Sequence, residues 1–299
     1  MRLLRAAVTA ATFVFLCATE DVPLRVKELQ DRLRGGSECN KTLASGLRTS
    51  LDGPNTWYYC GDYVKTAGSF VYAAGSTTAS STNQSSSLTI DCNGIRGGPE
   101  DTGLCNRLYH GPTKSTAFQS RMKASRFPVK DLNPYFHPYV ALGDFHDGQR
   151  VYDDDDFVDF DPQDQIVQPL SLVGVVCNNK LVFGLWADTN NDTVRQPLVG
   201  QFSVAMAKMC YGEHVVETQQ PLDTSDLIFL AFTGTQATPG YYGADWDAET
   251  PEEFEKGLAL LGNKLIRKRV FPNKAAPKRD LPGALIFCVF MVICIVMHS

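Results

Sequence analysis

Two apolar, β-branched runs of strand length, Leu170 through Cys177 and Leu181 through Trp186, are separated by Asn178-Asn179-Lys180. Asparagine tolerates the positive φ that a tight hairpin turn demands, so this stretch predicts two antiparallel strands joined directly. Tyr139-Val140-Ala141-Leu142 and Leu227 to Phe232 read as further strands. Gly68 to Ser87, rich in Ser, Thr, Gly and Ala, reads as a strand running into a surface loop. Helical signals are fewer. Val22 to Leu33 alternates charged and apolar residues, and Phe202 to Met209 suits a short buried helix. Thr250-Pro251-Glu252-Glu253 is a capping box with proline at the first helical position, and Phe254, Leu258, Leu261 and Leu265 follow at helical spacing. The basic end of that helix, Lys264, Arg267, Lys268 and Arg269, suits the helix dipole and a solvated face.

Both ends read as addresses. Arg2 and Arg5 precede an apolar run that closes on Cys17-Ala18-Thr19, the order of a secretory signal peptide over 1–18. Ala284 to Met297 is apolar but shorter than the ~20 residues of a spanning helix. Small residues and a polar spacer precede it, so 277–299 is expected to be a glycosylphosphatidylinositol-anchor signal or a membrane tail. Between them we expect an N-terminal arm or pro-segment over 19–56, a catalytic domain over 57–240, and a C-terminal helix and linker over 241–276.

Nine cysteines fit export. Cys17, Cys288 and Cys294 lie in the two end segments, leaving Cys39, Cys60, Cys92, Cys105, Cys177 and Cys210 for disulfides in an oxidising compartment. Proximity suggests Cys92 with Cys105 and Cys177 with Cys210. Glycosylation sequons stand at Asn40, Asn83 and Asn191. The chain carries 28 Lys+Arg against 33 Asp+Glu, and removing the two ends makes it more acidic. Such a field favours cationic ligands and argues against a nucleic-acid partner.

No Gly-x-Ser-x-Gly elbow, phosphate loop or Gly-x-Gly-x-x-Gly turn occurs, so serine-esterase and nucleotide chemistry lack support. His137 and His146 with Asp144 and Asp147 match no standard zinc spacing, and neither a metal nor an organic cofactor is implied. Acids are the abundant reagent. The run Asp153-Asp154-Asp155-Asp156 with Asp159, Asp161 and Asp164 reads as a solvated loop that adds negative potential. In Gly184-Leu185-Trp186-Ala187-Asp188-Thr189-Asn190 an apolar strand ends in a carboxylate, where apolar neighbours raise its pKa toward the range of a general acid. By itself Asp188 also suits a turn cap.

Ile90-Asp91-Cys92-Asn93-Gly94, Thr116-Ala117-Phe118, His137-Pro138-Tyr139-Val140, Pro169 through Asn178, Gly184 through Asn190 and Phe232-Thr233-Gly234 follow one another in order. Over this span the chain resembles the fungal chitosanases of glycoside hydrolase family 75. The resemblance implies a mainly β fold, a six-stranded double-psi-like β-barrel with a few peripheral helices, and endo-hydrolysis of the β-1,4 bond of chitosan with inversion. The family's two essential carboxylates are an Asp in a Trp-Gly-Asp-Thr-Asn segment and a Glu in a later Val-Gly-Glu segment. Asp188 matches the first. The second falls on Gln201, and Ala187 stands where the family usually has Gly.

Gln can hydrogen-bond a water but exchanges no proton near neutral pH. Asp192, Asp147 or Glu213 is then expected to fill the vacant role, or else the protein is a catalytically decayed, surface-anchored chitosan binder. Tyr139 and Trp186 are expected to stack on sugar faces, with Thr189 and Asn190 completing substrate binding. The expected partner is chitosan or partly deacetylated chitin, met outside the cell by a monomer.

Overall fold

The computed structural model describes residues 22–34, 39, 41–49, 55–61, 70–75, 88–144, 160–190, 198–220, 222 and 224–270. The expected signal segment and tail, the sequon residues Asn40, Asn83 and Asn191, His146, Asp147, Asp192 and the acidic run Asp153 to Asp159 lie outside the described residues.

In chain order the elements are α1 (Leu24–Arg34), β1 (Thr42–Leu47), β2 (Trp57–Cys60), β3 (Phe70–Gly75), β4 (Ile90–Asp91), α2 (Leu104–Leu108) and α3 (Gln119–Ala124). They continue with β5 (Tyr139–Ala141), β6 (Leu172–Cys177), β7 (Lys180–Asp188), β8 (Gln201–Ser203), α4 (Val204–Tyr211), α5 (Glu213–Glu217), β9 (Ile228–Phe232) and α6 (Pro251–Arg269). All nine strands join one sheet in the order β1-β2-β3-β9-β6-β7-β5-β8-β4. The fold is mainly β as expected, with nine strands among the described residues. The stretch 19–56 itself supplies α1, packed through Val26, Leu29 and Leu33, and the edge strand β1.

The sheet curls until its two edges meet. Next to β1, the Arg48 carbonyl accepts the Val199 N–H just before β8, and Thr89 before β4 donates its hydroxyl to the Thr49 carbonyl. Inside the curl the Phe229 ring packs on Trp57 and Phe202, joining β9, β2 and β8. Gly200 lies under that ring at φ +67°, and an added Cβ would sit 2.2 Å from the Phe229 Cζ.

The β6–β7 hairpin forms as the sequence predicts. Asn178 and Asn179 both take positive φ, and their amides donate to the two Asp226 carboxylate oxygens at 3.0 and 2.6 Å. Helix α6 lies against β7, with Gly262 seated on the Phe183 ring and the Glu255 carboxylate accepting the Phe183 N–H. The Thr250 hydroxyl caps it by accepting the Glu253 N–H. At its other end Arg25 of α1 donates to the Arg267 and Val270 carbonyls, filling acceptors that every helix end leaves open. Arg269, expected on a solvated face, is instead buried and donates to the Thr233 carbonyl at 2.6 Å.

Disulfides link Cys39 to Cys60, Cys92 to Cys105 and Cys177 to Cys210, so both pairings suggested by proximity are present. Asp161 caps the turn Pro162–Gln165 by accepting the Gln163 N–H. His137 is a core residue. Its Nδ1 accepts the Asn133 N–H, and its ring packs edge-on against Phe136 and Phe254. Burial pushes the imidazole down to about 4.

Two predictions follow from this packing. Gly200→Ala combines a left-handed backbone with a clash on Phe229, and is expected to lower unfolding free energy in urea by about 2 to 4 kcal/mol; an unchanged midpoint would refute the close packing. His137 stays neutral in the folded protein down to about pH 4, whereas the unfolded residue takes up a proton near its ordinary 6.5. The unfolded state therefore binds more protons between these values, and this contribution to stability is lost as pH falls through the window. His137→Phe should flatten the stability–pH slope there by about 1.4 kcal/mol per pH unit, read from urea melts at several pH values.

Candidate active site

Asp188 ends β7, and its backbone carbonyl accepts the Leu142 N–H beside β5. Its side chain is 4% exposed. Oδ1 accepts the N–H groups of Thr189 at 2.8 Å and Ala117 at 3.3 Å, and Oδ2 accepts the Asn93 amide at 3.0 Å. Removal from water holds the carboxyl well above the usual carboxylate range, and the negative charge of Asp91 raises it further. The three hydrogen bonds act the other way. The turn-cap role is thus present, but alongside a charge environment that a cap does not need.

Asn93 ties this carboxylate to its surroundings. Its backbone N–H donates to Asp91 Oδ1 at 2.8 Å, its carbonyl accepts the Tyr139 hydroxyl at 2.7 Å, and its side chain reaches Asp188. Gly94 follows at φ +110°, where a Cβ would lie 2.1 Å from the Leu132 carbonyl oxygen, so the turn admits no larger residue. The neighbouring disulfide fixes Cys92 to α2. Ala117 is held by the residue before it: Thr116 donates both its N–H and its hydroxyl to the Asp131 carboxylate.

Gln201 opens β8 and is half-buried. Ala141 of β5 is the register partner of Asp188 on one side and of Gln201 on the other. The two α-carbons therefore stand about two strand spacings apart, ~10 Å. Gln201 lines a cavity of about 340 Å³ together with Asp91, Asn93, Arg96, Tyr109 and Lys114. The sheet thus brings Asp188 and Gln201 to one region, as the sequence pairs them. Glu213 does not join them; it forms an exposed ion pair with Lys208.

Trp186 and Tyr139 do not present faces to a polymer. Both are 0% exposed. The Trp186 indole donates to the Leu142 carbonyl and meets Phe118 edge-on, because β7 is buried on both of its faces. The Tyr139 phenol is spent on Asn93, and burial with Asp91, Asp188 and Asp131 nearby pushes it well above its ordinary value. Thr189 contributes its N–H to Asp188. Asn190 is buried, its backbone N–H on the Gly143 carbonyl and both amide side-chain atoms without a partner among the described residues.

Tyr109 and Asp91 also line this cavity, and the sequence reading assigns neither a role in the site. Tyr109 is 42% exposed at the cavity, with its hydroxyl on the Ile90 carbonyl. Asp91 stands at a strand end before a Cys-Asn-Gly turn, the same signal that drew attention to Asp188. Among the described residues no group of three or more His, Cys, Asp or Glu side chains is placed to hold a metal ion.

The model of the fungal chitosanases of glycosyl hydrolase group 75 matches residues 88–268. An endo-chitosanase of Aspergillus oryzae is 31% identical over 248 residues, covering 82% of this chain and 91% of that relative. An Aspergillus fumigatus endo-chitosanase is also 31% identical, covering 82% and 90%. Endo-chitosanase B of Aspergillus oryzae is 29% identical over 261 residues, covering 87% and 96%. No solved structure matches. On the matched span and these relatives, the chain belongs to the fungal chitosanases of glycosyl hydrolase group 75.

Proposed function

We propose that the chain cleaves the β-1,4 bonds of chitosan from within, with inversion, and that Asp188 is the general acid. The observation that carries this reading is the environment of Asp188: a buried carboxyl whose pKa desolvation and a neighbouring negative charge raise, tied through Asn93 to a sugar-sized cavity. Inverting glycosidases need such an acid on the leaving oxygen and a carboxylate base on water across the bond. Gln201 cannot serve as base; its amide orients water or a sugar hydroxyl. Asn190 offers its buried amide to the substrate, and the exposed Tyr109 ring takes the stacking role expected of Tyr139 and Trp186.

Two further parts of this reading concern the molecule as a whole. The six strands β9-β6-β7-β5-β8-β4 form the barrel-like unit that the resemblance implies, with β1-β2-β3 as an added meander. The protein is exported as a monomer, held at the cell surface by its C-terminal tail; the three disulfides among the described residues support an oxidising compartment.

The test is reducing-end release from highly deacetylated chitosan, with product anomers followed by NMR. The wild type should release the inverted anomer first. Its rate should fall on the alkaline side, as pH rises through the raised pKa of Asp188 and the acid loses its proton. Asp188→Asn should lose about 10²- to 10⁴-fold in rate together with that alkaline limb, while polymer binding persists. A silent wild type, or an Asp188→Asn variant with full turnover, refutes the reading.

A further inference from the structure

From the geometry we infer that Asp91 is the second catalytic carboxylate, the general base that the Gln201 position does not supply. This rests on the chitosanase reading. Asp91 is the one carboxylate among the described residues that line the cavity. It lies on the same sheet face as Gln201: β4 runs parallel to β8 with Asp91 opposite Ser203, two residues beyond Gln201, and strand side chains alternate with period two. Asp91 and Asp188 are bound to the same residue, Asn93, one through its backbone N–H and the other through its side-chain amide. Their separation is thereby set by one side chain, which the Tyr139 hydroxyl and the Gly94 turn hold in place. The cavity also carries Arg96 and Lys114, opposite in charge to the Asp91 carboxylate.

The step balances with water alone as co-reactant. Asp91 takes one proton from a water whose oxygen forms the new bond to the anomeric carbon. The bond from that carbon to the glycosidic oxygen breaks, and the leaving oxygen takes the Asp188 proton. Asp91 then ends protonated and Asp188 ionised, and exchange with solvent resets both.

The test uses the full chain and highly deacetylated chitosan. Asp91→Asn keeps an oxygen for the Asn93 N–H, so it should fold, bind the polymer with KM little changed, and lose about 10²- to 10⁴-fold in kcat together with the acid-side limb of the pH profile. Adding Gln201→Glu to Asp91→Asn returns a carboxylate to the same cavity and should recover at least tenfold of the lost rate. A folded Asp91→Asn that keeps its turnover and acid limb while Asp188→Asn is dead overturns the role of Asp91 and leaves the chitosanase reading standing.

Should Asp91→Asn fail to fold, Gln201→Glu in the wild-type background decides. A new negative charge beside Asp91 should move the acid limb to higher pH. An unmoved limb overturns the inference, as does a gain of a hundredfold or more. A wild type and a Gln201→Glu variant both silent on chitosan refute the reading, and the role of Asp91 with it.

Discussion

Three hydrogen bonds on Asn93 connect the parts of this molecule that matter for chemistry. One runs to each of two aspartates and one comes from a buried tyrosine. In a low-dielectric interior such bonds are strong when complete and costly when broken. The network also explains why an acid can stay buried at Asp188. Its oxygens are engaged by donors of fixed position, so the carboxyl is oriented whether or not it carries its proton. Tyr139, which looks like a substrate contact in the sequence, is a support of this node.

The supports come from distant parts of the chain. Asn93 follows β4, Ala117 precedes α3, Tyr139 opens β5, and Asp188 closes β7. They converge because β5 is sandwiched between β7 and β8, and β4 lies outside β8. Each piece is then secured locally, by a disulfide at Cys92, by the Thr116–Asp131 pair, and by the indole of Trp186 on the Leu142 carbonyl. Positioning of this kind needs rigid elements more than it needs loops.

Legibility of the sequence followed locality. The β6–β7 hairpin could be read because its turn residues are adjacent to its strands, and α6 because its cap and apolar stripe lie on one segment. Two disulfides could be read from closeness along the chain. Strand count could not, since β1 enters the sheet from a stretch with no strong alternation, and β4 and β8 are only two and three residues long. Trp186, near an acid, and Tyr139, in an apolar run, looked like sugar platforms because an aromatic has the same spelling whether its ring faces solvent or core. Asp188 could be singled out from its own neighbours. Asp91 carries the same strand-end signal on a strand only two residues long, and its closeness to Gln201 arises from the pairing of β4 with β8, far along the chain.

The curl of the sheet has a consequence for association. An open β-sheet offers unpaired backbone at both edges, a template on which another chain can add a strand. Here backbone next to one edge strand is already bonded to the opposite side of the sheet, the Arg48 carbonyl to the Val199 N–H and the Thr49 carbonyl to the Thr89 hydroxyl. The short β4 adds little further template. A protein built this way resists edge-to-edge aggregation through its own closure, with no need for charged gatekeepers along those strands.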